Sequence, residues 1–238
     1  MTKQNSAPKF IQGLPRQLLT EYLGSTFLMI AAIAPTIFFY QVLDSHIAVA
    51  IMANAIAVAF VLYALIELFG NISGAHFNPV VTMVMAFERK FGAAKFIFFT
   101  LVQIIGGITG LILTHLMFYN EVGGLLFIST VARNDYIYFG EIIGTFILIF
   151  AILALVKQKN SRTPQIIGFL VGGLIMATSS TMFANPMVTI ARMLTNSIVG
   201  IRPFDGLMFI VMQFAGGLLA YVVYRIMFSK RNSETEEI

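Results

Sequence analysis

Residues 70–82 read Gly-Asn-Ile-Ser-Gly-Ala-His-Phe-Asn-Pro-Val-Val-Thr. The last five, Asn78-Pro79-Val80-Val81-Thr82, return 107 positions later as Asn185-Pro186-Met187-Val188-Thr189. Asn followed by Pro is a helix start with a physical cause: the Asn side chain caps the first turn, and Pro fills the first helical position, where a missing N–H costs nothing. The helix opened at Pro79 has only about ten residues before the charged run Glu88-Arg89-Lys90, so it is ~15 Å long, half of a ~30 Å bilayer core. Such a helix cannot span. Placed in a membrane, it begins near the midplane with free N–H groups and a partial positive end, which need protein or water around them. Two copies predict two matching half-structures and a wet path where their ends lie.

Composition puts these motifs in a membrane. Of 238 residues, 58% are hydrophobic and 11% charged, and the mean hydropathy is +0.86, outside the range of ordinary soluble domains. The net charge of +4 does not signal nucleic acid, because the basic residues are dispersed between apolar runs and form no stripe. Without cysteine there is no disulfide, thiolate metal site or thiol nucleophile. His46, His76 and His115 do not cluster, so no metal or other cofactor is expected. No nucleophile and base stand together, which argues against an enzyme. The first apolar run lacks the short apolar region and cleavage site of a signal peptide and reads as a retained span.

Runs of spanning length fall at Leu18–Tyr40, His46–Phe69, Lys95–Tyr119, Tyr136–Val156, Pro164–Phe183 and Phe204–Phe228, each near the ~20 residues a membrane helix needs. Twelve of the fifteen basic residues, among them Lys3, Lys9, Arg16, Arg89, Lys90, Lys157, Arg162, Arg225, Lys230 and Arg231, fall on one side of this arrangement. By the positive-inside rule both termini are cytoplasmic. The expected organisation is a cytoplasmic segment 1–16, one membrane domain 17–228 and a cytoplasmic tail 229–238. The repeat extends beyond the Asn-Pro copies: Glu21-x-x-Gly24 matches Glu141-x-x-Gly144, and Gln103-x-x-Gly106-Gly107 matches Gln213-x-x-Gly216-Gly217. Halves at about 17–119 and 136–228 each hold three spans, an odd number, so the second is inverted and the short helices meet end to end. Gly106, Gly110, Gly140, Gly144, Gly172, Gly173 and Gly216 are small enough to let spans pack closely.

From Glu21 to Phe228 these residues resemble the aquaporin family, the major intrinsic proteins. The resemblance implies an all-α membrane protein with six transmembrane helices and two re-entrant half-helices, assembled as a homotetramer in the lipid bilayer, with one passive pore per subunit. It makes Asn78, Pro79 and Val80, and Asn185, Pro186 and Met187, the paired pore motifs, departing twice from the family's Asn-Pro-Ala at the third place. It makes the carbonyls of Gly74, Ala75, His76 and Phe77, and of Thr181, Met182 and Phe183, pore lining, and Glu21 and Glu141 the buried acids that brace the re-entrant loops. The family's outer constriction carries an Arg directly after the second motif; here that place is Val188. Its companions by family spacing are Val58, Met182 and Gly173, or Ile175 if the fifth span is aligned with a two-residue gap. None is His or Arg, so the usual water-selective filter is absent.

Among the other polar residues, Asn78 and Asn185 are placed to donate from their amides to a passing water or hydroxyl. Glu21 and Glu141 are read as structural acceptors of re-entrant N–H groups rather than proton relays. Glu67 falls opposite Val58 on its helix and is assigned to a helix or oligomer contact. His76 is read as a loop brace and Pro35 as a tolerated kink. Arg192, one turn past Val188, is read as snorkelling or loop-paired in preference to a displaced cationic ring at the outer mouth. Arg202-Pro203 and Asp205 mark the turn into the last span. The expected function is a passive channel for small uncharged solutes, glycerol-like polyols and neutral metalloid hydroxides such as arsenious acid, with water also passing, in a bacterial inner membrane. The rivals are an inverted-repeat secondary transporter and a water-selective or non-conducting member of the same fold.

Overall fold

The computed structural model describes residues 13–89, 91–133 and 135–228. Lys3, Lys9, Lys90, Lys230 and Arg231, the tail 229–238 and most of segment 1–16 lie outside the described residues. The helices are α1 (Leu14–Ile37), α2 (Ile47–Phe69), α3 (Pro79–Arg89), α4 (Ala93–Met117), the single turn α5 (Tyr119–Val122), α6 (Asp135–Lys157), α7 (Thr163–Ala177), α8 (Pro186–Arg192) and α9 (Pro203–Phe228). Five of them, α1, α2, α4, α6 and α9, are long and apolar enough to cross a membrane.

Two expected boundaries are corrected. α1 begins inside the expected 1–16 segment, at Leu14, because Pro15 fits the first turn, where its missing N–H is harmless. The fifth run does not continue as helix to Phe183: α7 ends at Ala177 after 15 residues. Hydroxyl side chains compete there with the helical ladder. Thr178 Oγ1 donates to the Leu174 carbonyl, and Ser180 Oγ accepts from the Met182 N–H. The chain therefore leaves the helix early and runs back as an approach segment to α8. At the end of α1, Pro35 is followed by a π-helical turn at Phe38–Val42, a local widening consistent with the hydrogen bond that Pro removes.

Glycines set how closely the spans approach. A Cβ on Gly106 would overlap the Tyr22 carbonyl, bringing α4 onto α1, and one on Gly216 would come 2.5 Å from the Ile142 carbonyl, bringing α9 onto α6. In the same way Gly168 and Gly172 of α7 lie against the Ala59 and Ala55 carbonyls of α2. Such contacts replace the hydrophobic drive that lipid does not supply. Large apolar side chains such as Phe60, Leu68, Ile105, Phe139, Val211 and Ile226 face outward, which suits hydrocarbon. Phe77, Met187, Phe209 and Leu111 fill the fully buried interior.

Candidate functional site

The two half-helices meet through their caps. Asn78 Oδ1 accepts from the Val80 N–H at 2.9 Å, and Asn185 Oδ1 accepts from the Met187 N–H at 3.0 Å. Each amide then crosses to the other repeat: Asn78 Nδ2 donates to the Ala184 carbonyl at 2.7 Å, and Asn185 Nδ2 donates to the Phe77 carbonyl at 2.8 Å. An amide nitrogen carries two protons. One is spent on this cross-bond, and the second is available to the cavity that both Asn residues line.

The segments before the half-helices share an unusual backbone. Ala75 and Phe77 in the first, and Met182 and Ala184 in the second, have φ between 38° and 51°. These are the third and first residues before each Asn, and Thr181 joins them at φ 56°. Non-glycine residues held there cost roughly 1–3 kcal/mol each and persist only where surroundings over-determine them. Buried carboxylates do so here. Glu21 accepts from the His76 and Phe77 N–H groups at 3.0 and 2.7 Å, and Glu141 from the Phe183 and Ala184 N–H groups at 2.9 and 2.8 Å. Gln103 Nε2 bridges Glu21 to Thr82 Oγ1, and Gln213 Nε2 bridges Glu141 to Thr189 Oγ1. The glycines of the repeated Glu-x-x-Gly make room: a Cβ on Gly24 would overlap the Phe77 ring, and one on Gly144 would come 2.8 Å from Met182 Cγ.

A single cavity runs past the paired Asn amides and is lined, among others, by Val58, Ile175, Met182, Val188, Gly74, Ala75, His76, Thr181 and Phe183. Gly173 is not among the lining residues. It is exposed on α7, and a Cβ there would meet open space. Of the two candidate places on this helix, Ile175 is the one facing the cavity, which corrects the ungapped placement. Phe77 also lies off the lining, its carbonyl held by Asn185 and its ring packed under Gly24. Val80 and Met187 point away from the cavity, toward Gly217 and Gly107 of the opposite repeat. His76 lines the cavity, with Nδ1 3.2 Å from Thr82 Oγ1 and its ring beside Phe99.

Sequence reasoning missed one lining residue and gave another the blander of two readings. Asn54 lines the cavity one turn before Val58 on α2, and Arg192, read as snorkelling or loop-paired, is buried and lines it too. Its spacing of four from Val188, already noted in the sequence, puts both on one helix face and carried the displaced-ring alternative. Glu67 is exposed on α2, away from the lumen.

Two Asn-capped half-helices, each steadied by a buried carboxylate and meeting inside a bundle of membrane helices, define a membrane channel built on an inverted repeat. A family model described as "Major intrinsic protein" matches residues 10–184, and the chain belongs to that family, a family of channels. It is 32% identical over 212 residues to "Aquaglyceroporin AqpS" of Rhizobium meliloti (strain 1021), covering 89% of this chain and 90% of that one. It is 35% identical over 111 residues to "Aquaporin-4" of Mus musculus, covering 45% of this chain and 34% of the relative. In fold it is similar to the aquaglyceroporin from Plasmodium falciparum, with a TM-score of 0.64 at 18% identity, covering 92% of this chain and 96% of that one.

Proposed function

We propose that the chain conducts glycerol-like polyols and neutral metalloid hydroxides such as arsenious acid down their gradients, with water passing through the same lumen. The observation that carries this reading is the apolar character of Val58, Ile175, Met182 and Val188 where they line the cavity beyond the Asn pair. A polyol can lay its carbon skeleton on such side chains while its hydroxyls meet backbone carbonyls and the Asn78 and Asn185 amides. No carboxylate is among the described residues lining the cavity, so no negative side chain there draws in a cation. The likeness along nearly its whole length to a Rhizobium protein called an aquaglyceroporin supports the same reading.

The assembly is read as a homotetramer with one lumen per subunit. Glu67, exposed on a membrane-crossing helix, supports a protein neighbour on that face, since an ionisable group there is costly against lipid. The distribution of basic residues supports cytoplasmic termini, and a bacterial inner membrane is the setting proposed.

The test is a stopped-flow series on purified proteoliposomes comparing water, glycerol and arsenious acid. The expected result is non-saturating flux of all three, with glycerol and arsenious acid well above empty liposomes. Saturable, ion-gradient-coupled uptake would establish the transporter alternative, water flux alone a water-selective pore, and no flux a non-conducting member.

A further inference from the structure

Beyond the apolar side chains, the lumen carries a second polar layer that the paired motifs do not explain. Arg192 closes α8, is 6% exposed and lines the cavity. Its Nη2 donates to the Ala32 carbonyl at 2.6 Å, and its guanidinium carbon lies 4.2 Å from the centre of the Phe183 ring. Among the described residues no carboxylate pairs with it, and its Nε is buried without a hydrogen-bond partner. A guanidinium has five N–H donors, and protein accepts from one nitrogen only. A buried cation so poorly compensated is costly as pure structure.

The Ala32 carbonyl also accepts from Asn54 Nδ2 at 2.8 Å, and the same amide reaches the Ala31 carbonyl at 3.2 Å. The sequence cause is Pro35. It stands four residues after Ala31, has no N–H to return to that carbonyl, and crowds it with its ring. Asn54 lies one turn before Val58 on α2, and Arg192 one turn after Val188 on α8. α2 enters from the end of the bundle where α1 finishes, and α8 runs from the midplane back to that same end. Both side chains are therefore displaced toward one mouth, outside the apolar layer.

We infer that selection in this channel is made one helical turn beyond Val58 and Val188, where Arg192 and Asn54, joined on the Ala32 carbonyl, form a cationic hydrogen-bonding ring at the mouth. This rests on the channel reading above and deepens it. The ring takes small neutral solutes that present oxygen acceptors. The guanidinium donates to their hydroxyl oxygens, Asn54 Oδ1 accepts a hydroxyl proton, and the face of Phe183 bounds the path. Monovalent cations meet a fixed positive charge there, to which Arg133, 5.8 Å from the same ring, adds.

The experiment compares wild type, Arg192→Ala, Arg192→Lys and Asn54→Ala in proteoliposomes for water, glycerol and erythritol permeability and for Na⁺ leak. Arg192→Ala is expected to raise the erythritol-to-glycerol ratio about tenfold, the scale on which a loosened pocket loses size discrimination, and to admit Na⁺. Arg192→Lys should keep Na⁺ out while leaving the ratio raised, because it restores charge without the planar fork. Asn54→Ala should move the ratio the same way with Na⁺ still excluded, and it carries the test if Arg192→Ala does not reconstitute. A parallel fall of all three permeabilities, or a fixed ratio, overturns the inference while the channel reading stands. A wild type that conducts nothing overturns both.

Discussion

Val80 of the first half-helix occupies the space that a side chain on Gly217 of α9 would need, and Met187 of the second stands in the same relation to Gly107 of α4. Each motif's third residue is thus seated on a glycine of the opposite repeat, and the larger Val and Met, where the family has Ala, fit because those glycines have no Cβ. Gly217→Ala should therefore destabilise by ~1–3 kcal/mol, the usual cost of overpacking a core. Gly107→Ala should cost less, because the unbranched Met187 can move and the β-branched Val80 cannot. Adding Val80→Ala to Gly217→Ala should recover most of the loss. Thermal unfolding of the four variants in detergent checks this, and simple additivity of Val80→Ala and Gly217→Ala would show that the pair does not share that space.

Glu141 accepts from the N–H groups of Phe183 and Ala184 and from the Gln213 amide. In Glu141→Gln one oxygen becomes an NH₂ aimed at a donor, and a charged acceptor becomes neutral. The expected cost is ~2–3 kcal/mol, a fall in melting temperature of about 5–10 °C for a chain of this size. The left-handed residues Met182 and Ala184 lose their support, so water permeability should fall as well. A melting curve superimposable on that of wild type would remove Glu141 from its bracing role.

Val188→Arg would put a second guanidinium one turn from Arg192 on the same face of α8. The lumen narrows, and like charges four apart repel. Glycerol flux should drop sharply while water flux is spared more, since a water molecule passes where a three-carbon chain does not. Stopped-flow traces at matched protein incorporation decide it. Equal proportional losses of water and glycerol would mean the side chain does not reach the path.

Mercurials that inhibit by labelling a pore thiol have no target in a chain without cysteine. Water and glycerol permeability should be unchanged by them. Prompt inhibition reversed by a thiol reagent would contradict this.

Chain-local physics made much of the architecture readable in advance. The Asn-Pro caps and the shortness of the first short helix announced half-helices, and the odd number of spans per repeat required inversion. The matched Glu21 and Glu141 marked the acceptors of N–H groups that a re-entrant segment leaves unpaired. The end of α7 was less readable, because the run from Ile166 to Phe183 is apolar except for Thr178 to Thr181, whose hydroxyls stop the helix through bonds that hydropathy does not register.

The sequence by itself determined that two capped half-helices lie in an inverted membrane repeat, because capping, helix length and hydropathy act between residues close along the chain. Only the tertiary structure decided which face of each helix meets the lumen. It turned Ile175 inward and Gly173 outward, seated Val80 and Met187 on glycines of the other half, and drew Arg192 onto a carbonyl beside the one Pro35 had deprived of its donor, 160 residues away. Those outcomes depend on helix rotation and on contacts between distant segments, which are fixed only when the spans pack together.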